Sequence, residues 1–252
     1  MALGPFGRRA KTAAPPATAR GERIYAIGDV HGRLDLLTEL LTRIEAHSRA
    51  LAEPETLYIV LLGDLVDRGP QSAEVVAHVQ SLQQGSDAYV VLKGNHEQLM
   101  YRALDGESGV MQVWLRTGGA DTLQSYGVER PAAGYDEAGF AAEASRKVPR
   151  PTLRWMRSLP LTAQSGDYFF CHAGVRPGVP LRRQSPDDLL WIRSEFLNDP
   201  SPHGAVIVHG HSVSEQVEML PNRIGVDTGA YRTGVLSAIY LEGTRREVIA
   251  TA

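Results

Sequence analysis

Apolar positions along this chain come in short runs separated by stretches of helical spacing. The run Ile24–Ile27 predicts a strand, and Leu34, Leu36, Leu37, Leu40, Leu41 and Ile44 then recur at the spacing of an amphipathic helix. Leu57–Leu62 is almost unbroken in its apolar character, as expected of a strand buried on both faces. A helix over 73–82 and a strand over 88–92 follow, so this part reads as β-α-β-α-β. Parallel pairing with right-handed crossovers is the default for such a series. From about 97 to 160 the pattern changes to candidate helices punctuated by Gly118-Gly119, Gly127, Pro131, Gly134 and Pro149. No strand pattern is convincing there, and the segment reads as a helical insertion packed on the sheet. Beyond it 167–171, 205–208, 223–226, 235–241 and 246–249 read as strands, several joined by short turns that predict antiparallel pairing. No internal repeat is present.

The expectation is an α/β fold in one domain over 21–252, preceded by a tail over 1–20. In that tail Arg8, Arg9, Lys11 and Arg20 sit among Ala, Pro and Thr, with no apolar core of signal-peptide length. Pro5, Pro15 and Pro16 oppose a helix, so disorder is expected of it.

Charge and cysteine content narrow the partners. A formal net charge of −3 argues against a nucleic-acid backbone or an anionic membrane as the main partner. No apolar stretch has the length needed to span a bilayer. The single cysteine, Cys171, excludes an intramolecular disulfide and fits a reducing, cytoplasmic setting. Within Tyr168-Phe169-Phe170-Cys171 it reads as a small buried hydrophobe.

The chemistry is concentrated where strands end. The first three predicted strands run into Gly28-Asp29-Val30-His31-Gly32, Gly63-Asp64-Leu65-Val66-Asp67-Arg68-Gly69 and Gly94-Asn95-His96-Glu97. In open α/β sheets functional groups gather just beyond the carboxyl ends of strands. Cys171-His172-Ala173-Gly174 and His209-Gly210-His211-Ser212 repeat the theme later in the chain. One such cluster alone reads equally well as a turn whose Asp caps backbone amides. Five of them offer carboxylates, imidazoles and an amide carbonyl together, a mixed nitrogen and oxygen set suited to manganese, iron or zinc. One carboxylate can bridge two ions, which makes a two-metal site for displacement at phosphorus.

These motifs, in this order, resemble the signature of the calcineurin-like metallophosphoesterases, and Asp67-Arg68-Gly69 with Glu97 resembles the PPP phosphoprotein phosphatase branch. The resemblance spans roughly 22–242. It implies a four-layer α/β/β/α sandwich with mixed sheets and two divalent metal ions, manganese first among them. It implies that Asp29 and His31 hold one ion, that Asn95, His172 and His211 hold the other, and that Asp64 bridges both. His211 is taken over His209 because the family ligand follows glycine directly. The implied reaction is direct attack of a metal-held hydroxide on phosphorus, with no covalent phospho-enzyme. His96 resembles the general acid, with Asp67 orienting its imidazole, and Arg68 and Arg193 resemble the phosphate clamps. Asp227-Thr228-Gly229-Ala230 resembles a late family segment, but a strand-end turn explains Asp227 as well. Thr117 stands before Gly118-Gly119 where relatives often carry Asn, a departure at the implied substrate entrance. The expected substrate is a protein bearing phosphoserine, phosphothreonine or phosphotyrosine. A diadenosine polyphosphate or another small phosphate compound is the alternative.

Overall fold

The computed structural model describes residues 14–252. The expected alternation is present as β1 (Glu22–Ile27), α1 (Leu34–Arg49), β2 (Thr56–Leu61), α2 (Ser72–Gly85) and β3 (Tyr89–Val91). β1 pairs with β2, and β2 with β3, in parallel. The helical segment contains α3 (Asn95–Leu104), α4 (Val110–Trp114), α5 (Ala120–Ser125), α6 (Glu137–Lys147) and α7 (Arg150–Ser158). Between α4 and α5 a π-turn over Leu115–Gly119 breaks at Gly118, whose φ is 117°. The remainder holds β4 (Thr162–Ser165), β5 (Tyr168–Cys171), α8 (Pro186–Trp191), α9 (Ser194–Leu197), β6 (Val206–His209), β7 (Glu218–Met219), β8 (Arg223–Gly225), α10 (Ala230–Thr233), β9 (Ser237–Glu242) and β10 (Arg245–Ala250).

Two five-stranded mixed sheets result, ordered β10-β9-β1-β2-β3 and β4-β5-β6-β8-β7. The alternation of side chains along each strand builds the layers. Ile24 and Ala26 of β1 meet Phe170, Val206 and Val208 between the sheets, while Tyr25 and Ile27 face the helices. On the far side Phe169, Cys171 and Ile207 pack beneath Leu189 of α8, Phe196 of α9 and Ile192 between them. The fold is therefore the four-layer α/β/β/α sandwich. Trp114, Leu123, Leu153 and Met156 of the helical segment share a core with Tyr25, Ile59 and Leu61, so that segment packs on the first sheet. Cys171 is buried, which pushes its thiol pKa up. No helix among the described residues is long and apolar enough to cross a membrane.

Three expectations need correction. β4 lay outside the strand pattern because it is a short, largely polar edge strand, held to β5 by a two-residue turn with Gly166 at positive φ. The pairs β5–β6 and β6–β8 are parallel, whereas β9–β10 is antiparallel as expected. Of the N-terminal segment expected to be disordered, residues 1–13 lie outside the described residues, but 14–20 are docked. Ala17 and Asp167 exchange hydrogen bonds at 2.8 and 3.0 Å, and Thr18 bonds to the carbonyl of Gly243 at 3.0 Å. These bonds tie the segment to the β4–β5 and β9–β10 turns through the segment's own backbone groups, which leave no side-chain pattern to read within it.

Candidate active site

Parallel pairing of β1, β2 and β3 sets three of the polar clusters side by side at one sheet edge. Their backbones lie very close together. A Cβ at Gly63, whose φ is +103°, would lie 2.6 Å from the Gly94 nitrogen. Five non-glycine residues among those described have positive φ: His31, Asp64, Asp67, Arg68 and His211, at 44° to 76°. Each was a site residue expected from the sequence. Such conformations cost about 1–3 kcal/mol each and persist where their surroundings over-determine them. Here the restraints are explicit. The N–H groups of Val30 and His31 donate to the Asp64 carbonyl at 3.1 and 2.9 Å. The buried Glu97 carboxylate accepts from the N–H groups of Gly94 (2.8 Å), Asp64 (2.9 Å) and Leu65 (2.8 Å). Burial, with the neighbouring Asp64, pushes the Glu97 carboxyl up.

Around Asp64 the donor atoms form two groups. His31 donates its Nδ1–H to the Val66 carbonyl (2.8 Å), which leaves Nε2 at 3.7 Å from Asp64 Oδ2. His172 donates its Nδ1–H to the Leu62 carbonyl (2.9 Å), and its Nε2 lies 2.8 Å from Asn95 Oδ1 and 3.4 Å from Asp64 Oδ2. His211 Nε2 is buried with no hydrogen-bond partner. Compact sets of possible ligands are His31–Asp64–His96 and Asp64–His172–His211, with Asp64 common to both. Asp29 stands slightly apart. Both its oxygens accept the His211 N–H at 3.1 Å, and Oδ2 is 3.9 Å from His31 Nε2.

This arrangement fits divalent metal ions. With Nδ1–H committed to a carbonyl, a neutral His172 turns a lone pair toward the oxygens of Asn95 and Asp64. Three acceptors so placed repel unless a cation joins them. A proton is one such cation: burial works against it, but Asp64 prevails and lifts the His172 pKa to about 10. Asp29 shows the complementary stress, its carboxyl pushed well up by burial and by Asp227 and Asp64. A divalent ion would relieve both, and carbonyl-anchored imidazoles are the usual outer support of metal-binding histidines. His211, whose pKa burial drives down to about 2, keeps its lone pair free. His209 stands elsewhere: its Nδ1–H donates to the Gly210 carbonyl (3.0 Å) and its ring meets Phe196 edge-on.

The remaining expected residues surround these groups. His96 Nδ1 is 2.5 Å from Asp67 Oδ2, and Asp67 is itself held by the Trp114 indole N–H (2.9 Å) and the Thr122 hydroxyl (2.6 Å). Burial lowers the His96 pKa, but Asp64 and Asp67 outweigh it, so the net shift is upward. The Arg68 guanidinium reaches His31 Nε2 (2.8 Å) and His96 Nε2 (3.1 Å) beneath the Tyr231 ring, 4.7 Å away. A Cβ at Gly118 would lie 2.7 Å from Arg68, so the glycine pair buttresses the clamp directly. Thr117 turns back to the Val113 and Trp114 carbonyls. Arg193 is exposed and makes no side-chain hydrogen bond or ion pair among the described residues. Asp227 is buried beside Asp29 and accepts the Gly229 N–H at 2.9 Å. Glu97 as an anchor, Trp114, Thr122 and Tyr231 were not anticipated. Only Glu97 carried a signal, its place within Gly94-Asn95-His96-Glu97.

The family model described as calcineurin-like phosphoesterase matches residues 22–235. The chain is 27% identical over 234 residues to the asymmetrical bis(5'-nucleosyl)-tetraphosphatase PrpE of a Geobacillus species, covering 86% of this chain and 89% of that one. It is 34% identical over 156 residues to the symmetrical bis(5'-nucleosyl)-tetraphosphatase of Aromatoleum aromaticum, covering 62% of this chain and 45% of the relative. Among solved structures, one described as a candidate diadenosine tetraphosphatase superposes with a TM-score of 0.62 at 20% identity, covering 94% of this chain and 98% of the other. A protein serine/threonine phosphatase from Saccharomyces cerevisiae superposes with a TM-score of 0.56 at 15% identity, over 94% and 84%. The polar strand ends thus meet in a chain that belongs, over residues 22–235, to the calcineurin-like phosphoesterases.

Proposed function

We propose that this protein hydrolyses dinucleoside polyphosphates in preference to phosphoproteins. One observation carries the reading: curated relatives matching over most of both chains are named bis(5'-nucleosyl)-tetraphosphatases. The sequence alone ranked a phosphoprotein first. Solved phosphatases that resemble this chain do so at identities too low to speak of substrate, because that choice depends on loops over a shared centre. We take residues 21–252 as a single catalytic domain.

In this reading Asp29 and His31 would hold one ion and Asn95, His172 and His211 the other, with Asp64 the carboxylate common to both groups. We take manganese first, and the mixed oxygen and nitrogen donors also suit iron or zinc. Bound there, the ions supply Lewis-acid polarisation of phosphoryl oxygens and a water of lowered pKa. The chain's own groups do the rest. Arg68 and Arg193 clamp the equatorial oxygens, where charge spreads during transfer. His96, oriented by Asp67, protonates the departing oxygen. A protonated His96 has no Nε2 lone pair left for Arg68. Turning Arg68 toward phosphate and loading His96 with its proton therefore favour one another.

The test compares nucleotide release from diadenosine tetraphosphate with phosphate release from phosphopeptides, both with added manganese and a chelator control. Faster chelator-sensitive turnover of the dinucleotide is expected. Faster turnover of the peptides would return the phosphoprotein reading to first place. The clamp has its own check. Arg193→Ala should raise the inhibition constant for inorganic phosphate about tenfold, the loss of one hydrogen-bonded charge contact. An unchanged constant would remove Arg193 from the site.

A further inference from the structure

We infer that the exposed indole of Trp191 is the platform on which a nucleobase of the substrate stacks, and that it separates nucleotides from base-free phosphates. This rests on the dinucleotide reading above. Five large hydrophobic side chains are exposed among the described residues, and Trp191, at 38%, is the one aromatic among them. Tryptophan, with an apolar ring and a polar N–H, is enriched at binding interfaces. This one is not loose. Its Nε1–H donates to Gln98 Oε1 at 2.9 Å, and Gln98 stands on α3, the helix that carries Asn95 and His96. Buried Leu190 and Ile192 anchor the backbone on either side.

The ring's position matters as much as its exposure. Its centroid lies 6.4 Å from that of His211, at 83° between planes, so it stands directly beside the candidate metal ligands. With Arg193 it lines an open cavity of about 380 Å³ whose remaining wall includes Asp187 and the ion pairs of Arg176 with Asp188 and Glu195. Such a volume lies within the range of small-molecule sites. An uncommitted guanidinium for phosphate and a fixed π-face for a base are thus two residues apart. A nucleotide presents that pair of features, whereas phosphate alone or a sugar phosphate presents half of it. Base–aromatic stacking tolerates any base, because every base has a π-face.

Fluorescence and kinetics together test the inference. Of the three tryptophans, Trp114 is buried in the core and half-buried Trp155 is bonded to Gln83 near the C-terminal end of α2, so quenching by a base stacked beside His211 should come from Trp191. Titrating the protein with AMP is expected to quench, ribose 5-phosphate is not, and Trp191→Phe should remove the response. Kinetically, Trp191→Leu should lower the ratio of kcat/KM for diadenosine tetraphosphate to that for inorganic tripolyphosphate about tenfold. Trp191→Phe, which also lacks the bond to Gln98 but keeps an aromatic face, should recover most of that ratio. Quenching that survives in Trp191→Phe, no response to AMP in the parent, or a ratio unmoved in Trp191→Leu would each overturn the platform. If the parent turned over no dinucleotide, the functional reading would fail, and the AMP titration alone would decide whether a base stacks here.

Discussion

Replacing His96 by Asn is expected to lower turnover of the preferred substrate on the order of 10³-fold while leaving metal content at the parent level, since positioned proton transfer contributes about 10²–10⁴. The geometry separates the two effects. The part of residue 96 that steadies the metal-binding groups is its backbone N–H, which donates to Asp64 Oδ1 at 3.0 Å and survives the substitution. What disappears is the imidazole, whose Nδ1 is 2.5 Å from Asp67 and whose Nε2 edge opens toward Arg68. The Asp64 charge and the Asp67 hydrogen bond outweigh burial and keep the His96 proton on at a higher pH than in free imidazole. A good leaving group discriminates further. The deficit should be smaller on p-nitrophenyl phosphate, whose departing phenolate needs no proton, than on a phosphoserine peptide, whose departing alkoxide does. Equal deficits on both substrates, or loss of metal from the variant, would remove the acid assignment.

What could be read in advance follows from how the contacts are distributed along the chain. Asp29, His31, Asp64, Asn95 and His96 each sit within a few residues of an apolar run, so strand and cluster announce one another, and parallel pairing then brings them together. The supporting groups have no such local mark. Trp114 and Thr122 reach Asp67 across 47 and 55 residues, and from the sequence both pass as ordinary helix residues. Tyr231 over Arg68 is equally remote. Glu97 was visible as a residue but not as an anchor, because its partners are backbone N–H groups, which every sequence possesses. The choice of His211 over His209 illustrates the same divide. Motif order favoured His211, but its contact with the site depends on a φ of 63° and on the Asp29 carboxylate, neither of which spacing reveals. The parallel pairing of β5, β6 and β8 escaped notice for a different reason. Turn length predicts pairing only between strands adjacent in the chain, and α8 and α9 intervene between β5 and β6.

Replacing Asp64 by Asn should be the more damaging change, lowering turnover at least on the order of 10³-fold and abolishing the rise in Tm that manganese confers on the parent. Asn is almost isosteric, and its amide oxygen can still accept the His96 N–H now held by Oδ1 at 3.0 Å. It also tolerates the left-handed backbone at this position, where φ is 52°. The variant therefore removes one charge with little else disturbed. That charge is shared by both groups of possible ligands, His31–Asp64–His96 and Asp64–His172–His211, so its loss weakens both together. Metal-derived stabilisation of the transition state is worth several kcal/mol, and each 1.36 kcal/mol is tenfold in rate. Ligand-linked stabilisation follows RT ln(1 + [L]/Kd), so the Tm shift falls as affinity falls, independent of any activity measurement. Thermal unfolding with and without manganese, beside metal analysis of the purified variant, provides the readout. A parent-like Tm shift and metal content in Asp64→Asn would mean that the carboxylate does not bridge, and two separate mononuclear sites would then have to replace the shared centre.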